Sequence, residues 1–186
     1  MASAREVLFP DVHMQRDTFH AISYRLGEWK TRLETAAYKA IEAEYRALDL
    51  LDKTKDPQIQ AKSQSNYRQA VLDAQKAIEL YEHFVFLYHC LWECLLVFDN
   101  KGKTKDLFKV THDFITAITY INSLNHEGIN AQLKHINKDL HELFHFFQTA
   151  QLVVNQLASK IDPDILAQFC LAWQTRKQMI KSKDTA

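Results

Sequence analysis

The chain has 186 residues, 47% of them hydrophobic and 25% charged, with 23 Lys+Arg balanced by 23 Asp+Glu. That length can bury the core of one domain, and the zero formal net charge excludes a global positive field that would draw in nucleic acid or an anionic membrane. Three glycines and three prolines leave few turns and little support for β-structure.

Residues 1–16 read as an extended N-terminal segment. Their opening, "MASAREVLFPD", lacks the apolar run of a secretory signal. Residues 17–186 read as one helical bundle. The first helix opens at about Asp17, an N-cap residue type, and runs to about Asp52. Phe19, Ile22, Leu26, Trp29, Leu33, Ala36, Ala40, Ala43 and Ala47 recur on it at three- and four-residue steps, the period of one buried face. Gly27 lies inside this helix and allows a bend, at about 1 kcal/mol relative to Ala.

"KTKDP" breaks the pattern, and Pro57 suits the first turn of a second long helix ending near Asp99. Val71, Ala74, Ile78, Tyr81, Val85, Tyr88, Trp92 and Leu95 set its inward face. From Phe84 onward nearly every side is apolar, which places this half at the centre of the bundle. The run "FVFLYHCLWECLLVF" spans 15 residues and contains His89 and Glu93, so it falls short of the roughly 20 residues of a membrane span.

"DNKGK" is a turn. A third helix covers roughly 104–125, with Leu107, Phe114, Ile118, Ile121 and Leu124 inward. After "NHEG" a fourth helix carries the most regular repeat of the chain: Ile129, Leu133, Ile136, Leu140, Leu143, Phe147, Ala150, Val154, Leu157 and Ile161. Asp162-Pro163 then caps a fifth helix reaching about Lys181. Short loops make sequential helices antiparallel neighbours. The expected fold is all-α: an elongated bundle of about five antiparallel helices, two or three of them very long.

Three constellations could carry chemistry. Glu142-x-x-His145 is one copy of a motif that di-iron bundles use in pairs, and no second copy occurs. His141 and His145 could hold a metal as an i,i+4 pair, but both fall outside the core positions of the repeat, so the structural reading is preferred. His89 and Glu93, four apart within the most apolar segment, predict a hydrogen-bonded pair, or a bond to a neighbouring helix, that fixes packing. Cys90 and Cys94 share that segment without an electropositive setting, and with Cys170 they make an odd count of buried thiols. This suits core packing and a reducing, cytoplasmic location. The basic tail "RKQMIKSK" is the only local basic stretch, and it reads as a solvated helix end.

Two stretches carry a family resemblance. "QRDTFHAISYRLGEWKTRLETAAYKAIEAEYRALDLLDK" resembles a piece of bacterial insertion-sequence transposases with an RNase H-like catalytic fold. "LAQFCLAWQTRKQMIKSK" is similar to the segment closing their helical region, and "FVFLYHCLWECLLVFDNKGK" has the texture of their central helices. The resemblance implies that the chain is the helical middle region of such an enzyme, truncated at both ends. Asp17 would match the second acid of a three-carboxylate set, with Asp11 as the fallback.

In an intact relative those carboxylates hold Mg²⁺ ions for in-line attack on a DNA phosphodiester. Here no upstream strands carry a first Asp and nothing beyond Trp173 carries a final Glu. The implied fragment is therefore catalytically incomplete, without a cofactor of its own, and related to DNA only through the intact enzyme. The principal alternative is a stand-alone protein-interaction module, homodimeric through the repeat of the fourth helix. A histidine–carboxylate metallo-bundle comes third.

Overall fold

The computed structural model describes residues 22–138 and 140–183, without the side chains of residues 141, 142 and 176–183. Asp11 and Asp17, together with the whole expected extended segment, lie outside the described residues. A π-helical turn, Ser23–Gly27, leads into α1 (Glu28–Lys53) and α2 (Pro57–Cys94). These are followed by α3 (Leu107–Ser123), α4 (Glu127–Lys138), α5 (Leu140–Ala158) and α6 (Pro163–Lys183). The fold is all-α, and among the described residues it has six α-helices and no strand beyond a single bridge between Phe98 and Thr104.

Aspartate caps set three of the six helix starts. The Asp56 carboxylate accepts from the backbone N–H groups of Gln58 (2.8 Å) and Ile59 (3.4 Å), with Pro57 in the first turn. Asp106 caps α3 by accepting from Lys109 N–H at 2.7 Å. Asp162 does the same for α6, accepting from Asp164 N–H at 2.9 Å and Ile165 N–H at 3.3 Å. Beyond α3, Asn125 takes the left-handed conformation (φ 54°) that turns the chain toward α4.

The core draws on every helix. Ile22, Leu26 and Leu33 meet Phe84, Leu91 and Leu95 of α2, Phe114 and Ile121 of α3, Ile129 and Ile136 of α4, and Leu143 of α5. Phe114 and Phe144 close the α3–α5 contact edge to face, centroids 5.2 Å apart. The π turn meets α2 closely: a Cβ on Gly27 would sit 3.3 Å from the Tyr88 hydroxyl. Gly27 itself keeps helical angles (φ −61°, ψ −39°), so its part is close approach to Tyr88. Gly128 plays the same part for α4, since a Cβ there would meet the Trp29 ring at 2.3 Å.

Outside this core, α1 and α2 continue as a two-helix arm. No residue from 38 to 73 is buried. At about 1.5 Å per residue, α2 alone is about 57 Å long.

Four details depart from the sequence reading. Helix α2 stops at Cys94 rather than near Asp99, because Leu95, Val97 and Phe98 leave the helix to bury themselves. The repeat expected on one fourth helix is shared between α4 and α5, separated by Asp139, which is outside the described residues. The repeat runs on in register because both helices turn the same stripe toward α3. On α1, Ala36 and Ala43 are exposed and Ala37 is buried instead, while on the expected stripe Ile22, Leu26 and Leu33 are buried and Ala40 and Ala47 half-buried. Finally, the apolar half of α2 is not enclosed on all sides: α1 and α3 cover part of it, and Phe86 stays 67% exposed.

Candidate functional site

The expected pair in the apolar stretch of α2 is not a buried one. His89 and Glu93 are both exposed, because they lie on the side of α2 that its neighbours leave open. Water solvates both groups there, so neither needs a partner to avoid a desolvation cost. The Glu93 backbone carbonyl, by contrast, accepts from Lys105 Nζ at 2.7 Å.

His141 and Glu142 occupy the first turn of α5 with side chains outside the described set, while His145 is half-buried. Among the described residues no group of three or more His, Cys, Asp or Glu is placed to hold a metal ion. Among the described residues, too, no helix is long and apolar enough to cross a membrane.

The thiols are placed for packing. Cys90 and Cys94 are half-buried and Cys170 is buried, all three free. Burial, then the Asp113 carboxylate, pushes the Cys94 thiol up to about 11, and burial raises Cys170 as well. Both stay protonated at neutral pH, the unreactive form.

The structure's own candidate is a face that no sequence motif marks. Helices α5 and α6 form a hairpin joined through residues 159–162, and between them lies an apolar groove of about 260 Å³. Helix α5 contributes Phe146, Ala150, Val153, Val154 and Leu157; α6 contributes Leu166, Phe169, Cys170 and Trp173. Thr149 is the polar residue of the lining, and its hydroxyl donates back to the His145 carbonyl at 3.3 Å. Within that lining, Phe169 is 60% and Val153 49% exposed.

Ala150, Val154 and Leu157 were expected as core. They are half-buried because the repeat outruns the helices available to cover it. The first part of the repeat, from Ile129 to Phe147, is spent inside the chain itself. A homodimer seam along that part is therefore not open.

A clamp holds the hairpin to the bundle. The Gln174 carboxamide accepts from Phe98 N–H at 2.9 Å and donates to the Phe98 carbonyl at 3.1 Å. Phe98 also meets the Trp173 ring edge to face at 6.0 Å. The turn that presents Phe98 is built on Asp99, whose carboxylate accepts from Lys101 N–H (2.8 Å) and Lys103 N–H (2.9 Å). Those bonds, Lys103 foremost, hold its carboxyl below the usual range. Gly102, at φ 74°, lies so close to α6 that a Cβ would come within 2.3 Å of the Ala167 carbonyl.

Trp173 and Gln174 belong to the segment whose resemblance suggested a transposase; in this fold they fasten α6. The sequence signal for the face was present in a different form. Residues 143–159 and 165–175 contain no Asp, Glu, Lys or Arg.

Comparison of the chain with protein-family models, with curated proteins and with solved structures gave no match.

Proposed function

We propose that this protein works as a helical protein-interaction module, and that the α5–α6 face is its docking surface. One observation carries the reading: a formed apolar groove whose own lining leaves Val153 and Phe169 exposed, on a hairpin free of charged side chains along both walls. Burying either of those side chains against a partner would contribute about 1.5–3 kcal/mol. Aromatic anchors with few charges are the composition of interface cores.

A groove between two helices suits a third, which presents apolar residues at i, i+3/i+4 and i+7. The partner is accordingly a protein segment with an uncharged amphipathic helix. Three free thiols fit action in a reducing compartment, the cytoplasm being the expected one. The same work would fall to the groove if the chain were the helical region of a transposase, where it would hold another part of the assembly.

The test is fluorescence anisotropy of a labelled, neutral Ala/Gln peptide with leucines at that spacing, using dilute protein. Saturable binding that Val153→Glu weakens at least about tenfold supports the reading. Absence of saturable binding, or equal binding to Val153→Glu, overturns it.

A further inference from the structure

We infer that the occupant of this face is a second copy of the same chain, two α5–α6 hairpins closing into an intermolecular four-helix bundle. The inference rests on the docking reading above and adds the partner's identity.

The argument is one of charge. A two-fold contact sets a patch against itself, so any net charge within the patch is repelled by its own image. Most exposed apolar residues elsewhere have a charged neighbour in sequence: Tyr38 has Lys39, Tyr45 has Glu44 and Arg46, and Leu72 has Asp73. The α5–α6 face differs, since neither wall carries a charge between 143 and 159 or between 165 and 175. It can meet its own image with no ion desolvated and no like charges opposed.

The ends supply the orientation. Lys160, Asp162 and Asp164 give the hairpin turn a net charge of −1, whereas Arg176 and Lys177 follow the apolar stretch on α6 in sequence. With the axis near Phe169 and perpendicular to the helices, the net-negative turn of one copy lies over the basic end of the apolar stretch of the other. A parallel pairing would set acid on acid and base on base. Two antiparallel hairpins packed in this way have the helix arrangement of a four-helix bundle. Each copy would give Phe169 and Val153 the cover that its own chain does not.

The test is sedimentation over a wide concentration range with the full chain. The wild type should pass from 21.7 kDa to twice that mass. Phe169→Glu and Phe169→Lys, each bringing a like-charged pair to the axis, should each weaken self-association at least about a hundredfold. An equimolar mixture of the two variants should regain dimer, because opposite charges then face each other; this recovery is specific to a two-fold contact through Phe169. Unchanged helical circular dichroism identifies the variants as folded, as expected for a residue 60% exposed.

A wild type that stays monomeric, or a dimer that both variants leave intact, overturns the inference. If the leucine peptide still binds in that case, the docking face stands and only the partner is wrong. If the peptide also fails, both readings fall together.

Discussion

The α1–α2 arm and the α5–α6 hairpin are both antiparallel helix pairs that extend past the shared core, but they meet solvent in opposite ways. In α1, eleven of 26 residues are charged, and they pair along the helix: Arg32 with Glu28 (3.0 Å), Arg46 with Glu42 (3.9 Å) and Lys53 with Asp49 (2.7 Å). On α2, Gln69 and Gln75 donate to Asp73 and Glu79, both at 2.9 Å. The hairpin has no such surface over its apolar walls. An element that has water as its permanent neighbour carries its own polar partners; an element without them has a protein neighbour as its natural complement. The contrast sets the projecting arm apart from the proposed docking face although their helices were built by the same periodic rule.

The largest effect should come from the core that both regions share. Phe114→Ala removes a fully buried ring and its edge-to-face contact with Phe144. It should cost about 3–5 kcal/mol in urea unfolding and lower the stability of the arm and hairpin together. A smaller change should separate them. Gln174→Leu leaves the Phe98 N–H and carbonyl without their side-chain partner, costing about 2 kcal/mol. Hydrogen exchange should rise in α6 and in residues 97–105 while the arm keeps its protection. Equal loosening of the arm would show that the clamp serves the whole fold rather than the hairpin.

How much of this could be read from the sequence depends on the range of the interactions. Asp56-Pro57 and Asp162-Pro163 were legible as helix starts because each carboxylate reaches N–H groups only two and three residues ahead. The clamp was not, since Gln174 and Phe98 lie 76 residues apart and nothing local marks a glutamine as bonded to a distant backbone. His89 and Glu93 misled for a related reason: a dense apolar run raises the expected burial of all its members, although a helix has a side that its neighbours do not touch. Periodicity also marked Ala150, Val154 and Leu157 as inward without saying whether this chain or another covers them. The more telling signal was the absence of charge along both walls. Asp17, which carried the catalytic expectation, lies outside the described residues, so that expectation gains no geometry here.

A third prediction concerns the turn that presents Phe98. The folded state holds the Asp99 carboxyl below its unfolded value, chiefly through the backbone N–H of Lys103. Its stabilisation is therefore complete above the ordinary carboxylate range and disappears as pH falls through the folded value. Asp99→Asn should unfold earlier than wild type at pH 7, and the gap should close as pH drops below about 4. A gap that stays constant with pH would mean that the carboxylate's charge is not what the turn uses.

The smallest effect belongs to the arm, and salt makes it useful. Lys53→Gln removes an exposed i,i+4 pair worth about 0.3–0.5 kcal/mol, and wild type and variant should converge near 1 M NaCl, where screening acts within about 3 Å. Sodium sulfate should act in the opposite sense on the hairpin, because an excluded salt strengthens apolar burial. Self-association of the wild type should tighten in sulfate over the same range in which the Lys53 difference vanishes. The opposed responses would come from one molecule, one from ionic pairs in water and one from apolar walls that exclude it. If sulfate instead loosened the dimer, the contact would depend on its charged ends, and the α5–α6 walls would not be the source of its stability.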